Sequence, residues 1–376
     1  MSNLTPGIGS SRTEKDNPQD RNHLTREEIK HHIELFGSKL ILDDKDIQGE
    51  DLSGFNLSGA SFKSTDLSNS KLTQANLRSA NLSYAKMINS NFVKGSLAEA
   101  NLHGVNLEGS DLSETIMRST KMEKSNLKQT NLSKSDLSYA RLDEANISNA
   151  VLIEANLNKV SAQKVDFTKS NLIKSKLEGG NFQGSIFVDA KLQNVIADKE
   201  YSSDRVNFSN AKFHNANLDS AILSFAIFTQ ADLSRATLIS AKLNGTDFRA
   251  AQLSSVNLGA AILNSSNLSN ANLNSANLSA ANLEYAALEN ANLSNAILKQ
   301  AKLKGCSLQN VNLQNAILEN ADLSGTNVMN ANFCGANLAG AKFNGANLQG
   351  VKYDKNTIWP QGIIPSIVGA ILVETK

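Results

Sequence analysis

The sequence predicts an all-β solenoid, a rod of stacked short strands, and three observations carry that reading. A five-residue unit, Ala-Asn-Leu followed by two variable residues, runs without a break through residues 271–286, ANLNSANLSAANLEYA. Outwards from there an apolar residue, mostly Leu or Phe, falls at every fifth position from Leu52 to Leu192 and again from Phe208 to Tyr353, making 29 and then 30 units. The residue two before each such centre is small almost throughout, as at Ala75, Ala80, Ser90, Gly95, Ala100, Ala211, Ala216, Ala221 and Ala226. Self-similarity at a constant short period is the mark of a stacked repeat.

Each position of the unit follows from strand geometry. Residues two apart share a face of a strand, so the small residue and the centre both point inward. The Asn or Asp between them points outward. An odd period cannot continue as a flat strand, because alternation would put the next centre outside, so the last two residues of each unit must turn a corner.

A unit of the form A(N/D)LXX, met dozens of times over about residues 46–353, resembles the pentapeptide repeat family and is identified as bacterial in type. The resemblance implies a right-handed quadrilateral β-helix with four units to a coil. Phe167 and Phe187, 20 apart, and Phe208, Phe228 and Phe248, again 20 apart, are compatible with a square. About 15 coils at the ~4.8 Å spacing of adjacent strands give a rod roughly 70 Å long. Closed coils leave edges only at the two ends, and those need caps.

Taken in order, residues 1–22 are polar and are expected to be disordered. Residues 23–45 hold a short N-terminal capping helix, LTREEIKHHIELFG. Thr25 and Glu28 form its capping box, Leu24 staples to Ile29, Ile29, Ile33 and Phe36 share the inward side, and Gly37 stops it. The first array spans 46–195 and the second 206–353. In the first, hydroxyls at the small inward position (Ser70, Ser90, Ser110, Thr115, Thr120, Ser125, Thr130, Ser135) must bond backbone groups inside. In the second that position is nearly all Ala, which predicts the more stable half, and Asn272, Asn292, Asn312 and Asn332 are spaced to form an outward ladder. Between the arrays, 196–205 is a loop or register break in which the centres shift by one residue. A single extra residue would put Phe167, Phe187, Phe208, Phe228 and Phe248 in one stack. Residues 354–376, with Trp359 and the apolar run 367–373, read as a C-terminal cap or a dimer contact.

Chemistry is scarce. His23, His31, His32, His103 and His214 are scattered, and His31 and His32 diverge on adjacent helix positions, so no metal site is expected. No catalytic residue, phosphate-cradling loop or cofactor site is legible. Cys306, at a small inward position, should be inert, and Cys334, following the centre Phe333, should face outward. These two free cysteines and an N-terminus without an apolar core suit a cytoplasmic protein, and no run is long and apolar enough to span a bilayer.

The chain carries a net charge of +1. Residues 46–195 hold 17 basic and 16 acidic groups, and 206–353 hold 9 and 7. Lys159, Lys164, Lys169 and Lys174 take the same position in four successive units and should ring one coil. Arg118, Lys121, Lys124, Lys128 and Lys134 form a second basic stretch, and acids interleave both. Some relatives are DNA mimics that bind topoisomerases. Near-neutral arrays disfavour that activity here and give no reason to expect nucleic-acid binding. A secreted effector is the other alternative from the resemblance. The reading that remains is a non-catalytic scaffold binding an unknown protein partner, as a monomer or as a dimer through its C-terminal tail. The break is the expected contact loop, because Asp198, Lys199, Glu200, Tyr201, Asp204 and Arg205 crowd charge and an aromatic onto a smooth rod.

Overall fold

In the computed structural model, which describes residues 23–197 and 205–374, the chain winds into a square coil of parallel one-residue rungs. Each rung pairs with the residue 20 positions on, from Ile41 with Ser61 to Lys176 with Ile196, so four five-residue units make one turn. The coil is a right-handed quadrilateral β-helix, the hand that crossovers between parallel strands almost always take.

The unit Asn277, Leu278, Ser279, Ala280, Ala281 shows why the sequence folds this way. Asn277 N–H donates to Val256 O at 2.9 Å, Leu278 N–H to Ile297 O at 2.7 Å, and Ala280 N–H to Lys299 O at 2.8 Å. Ala281 N–H closes a turn onto Leu278 O at 3.0 Å. The fifth donor, Ser279 N–H, goes to the side-chain Oδ1 of Asn277 at 3.1 Å. Every N–H of the unit is thus satisfied, and the outward Asn or Asp is chosen because its oxygen caps the corner. The corner itself needs φ > 0 at the fourth position, where Ala280 has φ 56, which makes it a type II turn.

The interior is a column of centres, nearly all Leu or Phe, with the small residues between them. Hydroxyls in that column do bond inward carbonyls: Ser70 Oγ donates to Ile47 O at 2.9 Å, Thr115 Oγ1 to Phe92 O at 2.9 Å, and Thr130 Oγ1 to Leu127 O at 2.6 Å. Ser175 and Ser266 are the buried hydroxyls of this row without a partner among the described residues.

The expected single phenylalanine stack is corrected. Across the break Asn181 pairs with Asn207, Ile186 with Lys212, Lys191 with Asn217 and Ile196 with Ile222, an offset of 26. Six residues, not one, are therefore inserted, and two stacks result. Phe167, Phe187 and Phe213 lie face to face at 4.7 Å, while Phe182, Phe208, Phe228 and Phe248 stack at 4.9–5.2 Å on the adjoining side. Ala197 is buried at a regular centre, since its neighbour Ile196 still pairs 20 residues back with Lys176, so the inserted residues follow it in the chain.

Helix α1, Arg26–Phe36, starts at Thr25 with a complete capping box and ends at Gly37, φ 50. Ile29 enters the core, with Leu24 and Ile33 packed against it, and Leu24 N–H donates to Asp46 O at 2.8 Å. Phe36 departs from expectation: it is 53% exposed and stacks on His32 instead of the coil. The rungs also begin one unit earlier than Ile47, with Leu42 already buried.

At the other end β1, Lys352–Tyr353, pairs in parallel with β2, Ile371–Leu372. Asp354 ties this end down by accepting from Gly335 N–H at 2.9 Å, Asn356 N–H at 3.0 Å and Thr357 Oγ1 at 3.0 Å. Trp359 packs among Phe333, Phe343 and Tyr353. Ile364, Ile367, Ile371 and Leu372 remain more than half exposed. The tail at residues 1–22 lies outside the described residues.

Candidate functional site

Because the interior is filled, whatever this protein recognises must meet the four outward faces, the corners or the insertion. Of the contact loop read from the sequence, Asp198, Lys199, Glu200, Tyr201 and Asp204 lie outside the described residues. Arg205 is described: its guanidinium sits 5.7 Å from the centroid of Phe225, and its buried Nε has no hydrogen-bond partner among the described residues.

The lysines Lys159, Lys164, Lys169 and Lys174 do occupy four successive corners of one coil, each with φ between 56 and 59. What the sequence reading missed is the 20-residue alternation of sign along a corner. Lys94, Glu114, Lys134, Glu154 and Lys174 stack on one edge, with Lys94 to Glu114 at 3.8 Å and Lys174 to Glu154 at 4.0 Å. On the opposite edge Lys124 meets Glu144 at 3.9 Å. Within the basic stretch, Arg118 also pairs with Asp136, and Lys128 pairs with Glu108 at 3.8 Å. Exposed pairs of this kind are individually worth about 0–1 kcal/mol, so their effect is on the field around the rod more than on its stability. The signal was present in the sequence but readable only once the coil length is known.

A polar concavity of about 310 Å³ on the first array is lined by Arg118, Tyr139, Asn158, Lys159 and Glu178 among others. Its charges are already engaged: Arg118 holds Asp136, Glu178 Oε2 accepts from Asn158 Nδ2 at 3.4 Å, and Lys159 Nζ lies 6.0 Å from the Tyr139 ring centroid. Burial pushes the Asp136 carboxyl up, but hydrogen bonds from Ser138 and Arg118 outweigh it and hold the group below the usual carboxylate range. Such a group serves as a fixed acceptor.

Neither cysteine is activated. Burial pushes the Cys306 thiol up to about 12. Cys334, expected to face outward, is 8% exposed, and burial with the nearby Asp354 charge raises its pKa too. His32 donates its Nδ1–H to Glu28 O at 2.6 Å within the helix. Among the described residues no group of three or more His, Cys, Asp or Glu could hold a metal ion, and no helix is long and apolar enough to cross a membrane.

Three of the four aromatics at fourth positions share a pattern that the sequence reading overlooked, the exception being Tyr139, which is followed one coil later by Lys159. Tyr84, Phe225 and Tyr285 stand at the fourth position of a unit, and each is followed one coil later by glycine, at Gly104, Gly245 and Gly305. A Cβ at those glycines would come within 2.6–2.8 Å of the ring above. The ring therefore lies flat on the next corner.

The second array presents a different surface. Residues 250–283 contain no charged residue. On one face Asn272 Nδ2 donates to Gln252 Oε1, Asn292 to Asn272, Asn312 to Asn292 and Asn332 to Asn312, all at 3.1–3.2 Å. The ladder read from the spacing is present and is continuous over five coils.

Comparison with known proteins agrees with this architecture. A family described as pentapeptide repeats (8 copies) matches nine segments between residues 48 and 286, and one described as pentapeptide repeat region matches 276–353. No curated protein matches. Among solved structures, Rfr23 from the cyanobacterium Cyanothece 51142 is 45% identical over 26% of this chain and 63% of its own, TM-score 0.17, so the chain spans less than two thirds of it. HetL, a protein involved in heterocyst differentiation regulation from Nostoc sp. strain PCC 7120, is 24% identical over 91% of this chain and 100% of its own, TM-score 0.17. QnrB1, a plasmid-mediated fluoroquinolone resistance protein, is 19% identical over 51% of this chain and 91% of its own, TM-score 0.35. With the repeat matched over most of its length, this chain belongs to the pentapeptide repeat family.

Proposed function

We propose that this chain is a non-catalytic scaffold, a rigid rod whose outward residues bind a protein partner in the cytoplasm. The observation that supports this most is the commitment of polar groups to the rod itself: asparagines and aspartates cap corners, and corner charges pair coil to coil. Catalysis needs titratable groups converging on a pocket, and the charges around the polar concavity are tied to neighbours instead.

Within this reading, the six-residue insertion gives a partner a means to distinguish one side of the square rod from the others. Alternating signs along the corners argue against the acidic stripe that imitation of a nucleic acid would require. The tail, with β2 at its edge, would be the contact if the rod is a dimer.

Affinity purification of the tagged chain from its own organism tests the proposal. A stable protein partner, lost when residues 198–204 are replaced by a short Gly/Ser linker, is the expected result. Recovery of a topoisomerase, with protection from a quinolone in a supercoiling assay, would overturn it in favour of the alternative. Unchanged partners after the replacement would remove the loop from the proposal and leave the scaffold.

A further inference from the structure

The ladder face of the second array leaves a specific chemical valence unfilled. Asn292 Oδ1 accepts from Ser294 N–H at 3.2 Å, from Ser294 Oγ at 2.8 Å and from Asn312 Nδ2 at 3.2 Å. Its own Nδ2 donates to Asn272 Oδ1 at 3.2 Å. Asn272 Oδ1 likewise accepts Asn274 N–H at 3.3 Å, Asn312 Oδ1 accepts Gln314 N–H at 3.2 Å, and Asn332 Oδ1 accepts Cys334 N–H at 3.1 Å. The backbone donors fix which end of each amide is oxygen. A carboxamide has two N–H groups, and one is used in the ladder, so one N–H per coil is left to the solvent side. Asn272, Asn292, Asn312 and Asn332 thus present a row of identical donors, held in register by the coil, one every ~4.8 Å.

The surroundings select what could fill that row. Beside it stand Ser254, Asn274, Ser294 and Gln314, and from Gln252 to Gly335 this face carries neither a carboxylate nor a cation. A ligand would lose no ionic hydration from the protein, and short, mutually bonded side chains would lose little rotamer freedom on binding. An extended peptide advances ~3.4 Å per residue and falls out of phase with the coils within two residues. A pyranose in a β-1,4-linked chain advances by nearly the rise of one coil, and it offers a hydroxyl or ether oxygen acceptor at every residue.

We infer that this face of the second array is a binding surface for a neutral polysaccharide, lying along the rod with one sugar per coil. The inference is independent of the protein-partner reading, and its failure would leave that reading intact.

Affinity electrophoresis of the full chain in gels containing hydroxyethyl cellulose tests it, with alginate gels as the anionic comparison. The chain should be retarded by the neutral glucan, and the retardation should persist in about 0.5 M salt, where exposed charge interactions are screened. Ser254→Glu with Gln314→Glu, which places charge beside the row without touching the ladder, should weaken binding about tenfold or more at an unchanged melting temperature. Asn264→Glu, on the opposite face beside Ile262, should not weaken it. If the double variant does not fold, Asn315→Arg at the exposed corner serves the same purpose. Absence of retardation in the neutral gel, retention by alginate alone that disappears in salt, or full retention by the face variant would each overturn the inference.

Discussion

The fourth position of each unit sets a steric demand that most residue types resist. Left-handed backbone costs an L-residue about 1–2 kcal/mol, and here it is adopted by Lys, Glu, Ser, Gln, Tyr and Phe as well as by Gly and Asn. The closed hydrogen-bond pattern over-determines it, since the turn bond and the coil-to-coil bonds can form together only if the corner is made there. Gly305 answers two demands at once, φ 69 and a ring 2.7 Å from where its Cβ would be. Gly305→Ala should therefore destabilise by about 1–3 kcal/mol, and adding Tyr285→Ala should recover part of that. Additive costs in thermal melts of the single and double variants would show that ring and glycine are unrelated. The core makes a sharper contrast. Leu278→Asp puts a charge in a dry column with no partner and should cost several kcal/mol, whereas Ser279→Asp, at a half-exposed corner, should shift stability by about 0.5 kcal/mol. Equal melting temperatures for the two would reverse the inward and outward assignment.

Elements at the two ends do the work of edges. α1 was legible in detail because its signals are local: Thr25 and Glu28 bond each other three residues apart, and Gly37 N–H bonds Ile33 O four residues back. Phe36 was misplaced because helical periodicity identifies a face but not how far the neighbouring coil extends beneath it. The C-terminal cap was legible only as an apolar stretch, since the Asp354 knot depends on Gly335, 19 residues away in the chain. Burial raises the Asp354 carboxyl, but hydrogen bonds from Gly335, Thr357 and Asn356 outweigh it and leave the group below its ordinary range. A depressed folded pKa means that this contribution is present above the ordinary carboxylate range and is lost as pH falls through the folded value. Fluorescence of Trp359, the sole tryptophan, should therefore report loosening of the tail below about pH 4, and Asp354→Asn should loosen it already at neutral pH. A tail equally tight in that variant would exclude the knot. Removal of residues 354–376 should leave a folded rod that self-associates through the uncovered last coil, and a monodisperse truncation at high concentration would show that the tail is no edge cap.

For the whole molecule, the repeat made the solenoid legible because a constant period leaves one way to bury every centre. The coil length entered only through the family resemblance, and the charge alternation and the aromatic-on-glycine corners, which need residues 20 apart to be compared, went unread. The insertion resisted reading because the sequence between Ala197 and Phe208 has no Leu or Phe centre at five-residue spacing to fix how many units it holds, so six extra residues passed for one. The central claim is that the ladder continues through this insertion as one rod. Cysteine cross-linking tests it most directly: Lys191→Cys with Asn217→Cys joins residues on adjacent coils that are 26 apart in the chain. Neighbouring parallel rungs hold their Cα atoms ~4.8 Å apart, within the range a disulfide spans. The account predicts rapid intramolecular disulfide formation for this pair and none for Lys191→Cys with Ala211→Cys, the partner that a 20-residue coil would have chosen. Cross-linking of the second pair, or of neither, would contradict a single rod with one 26-residue coil.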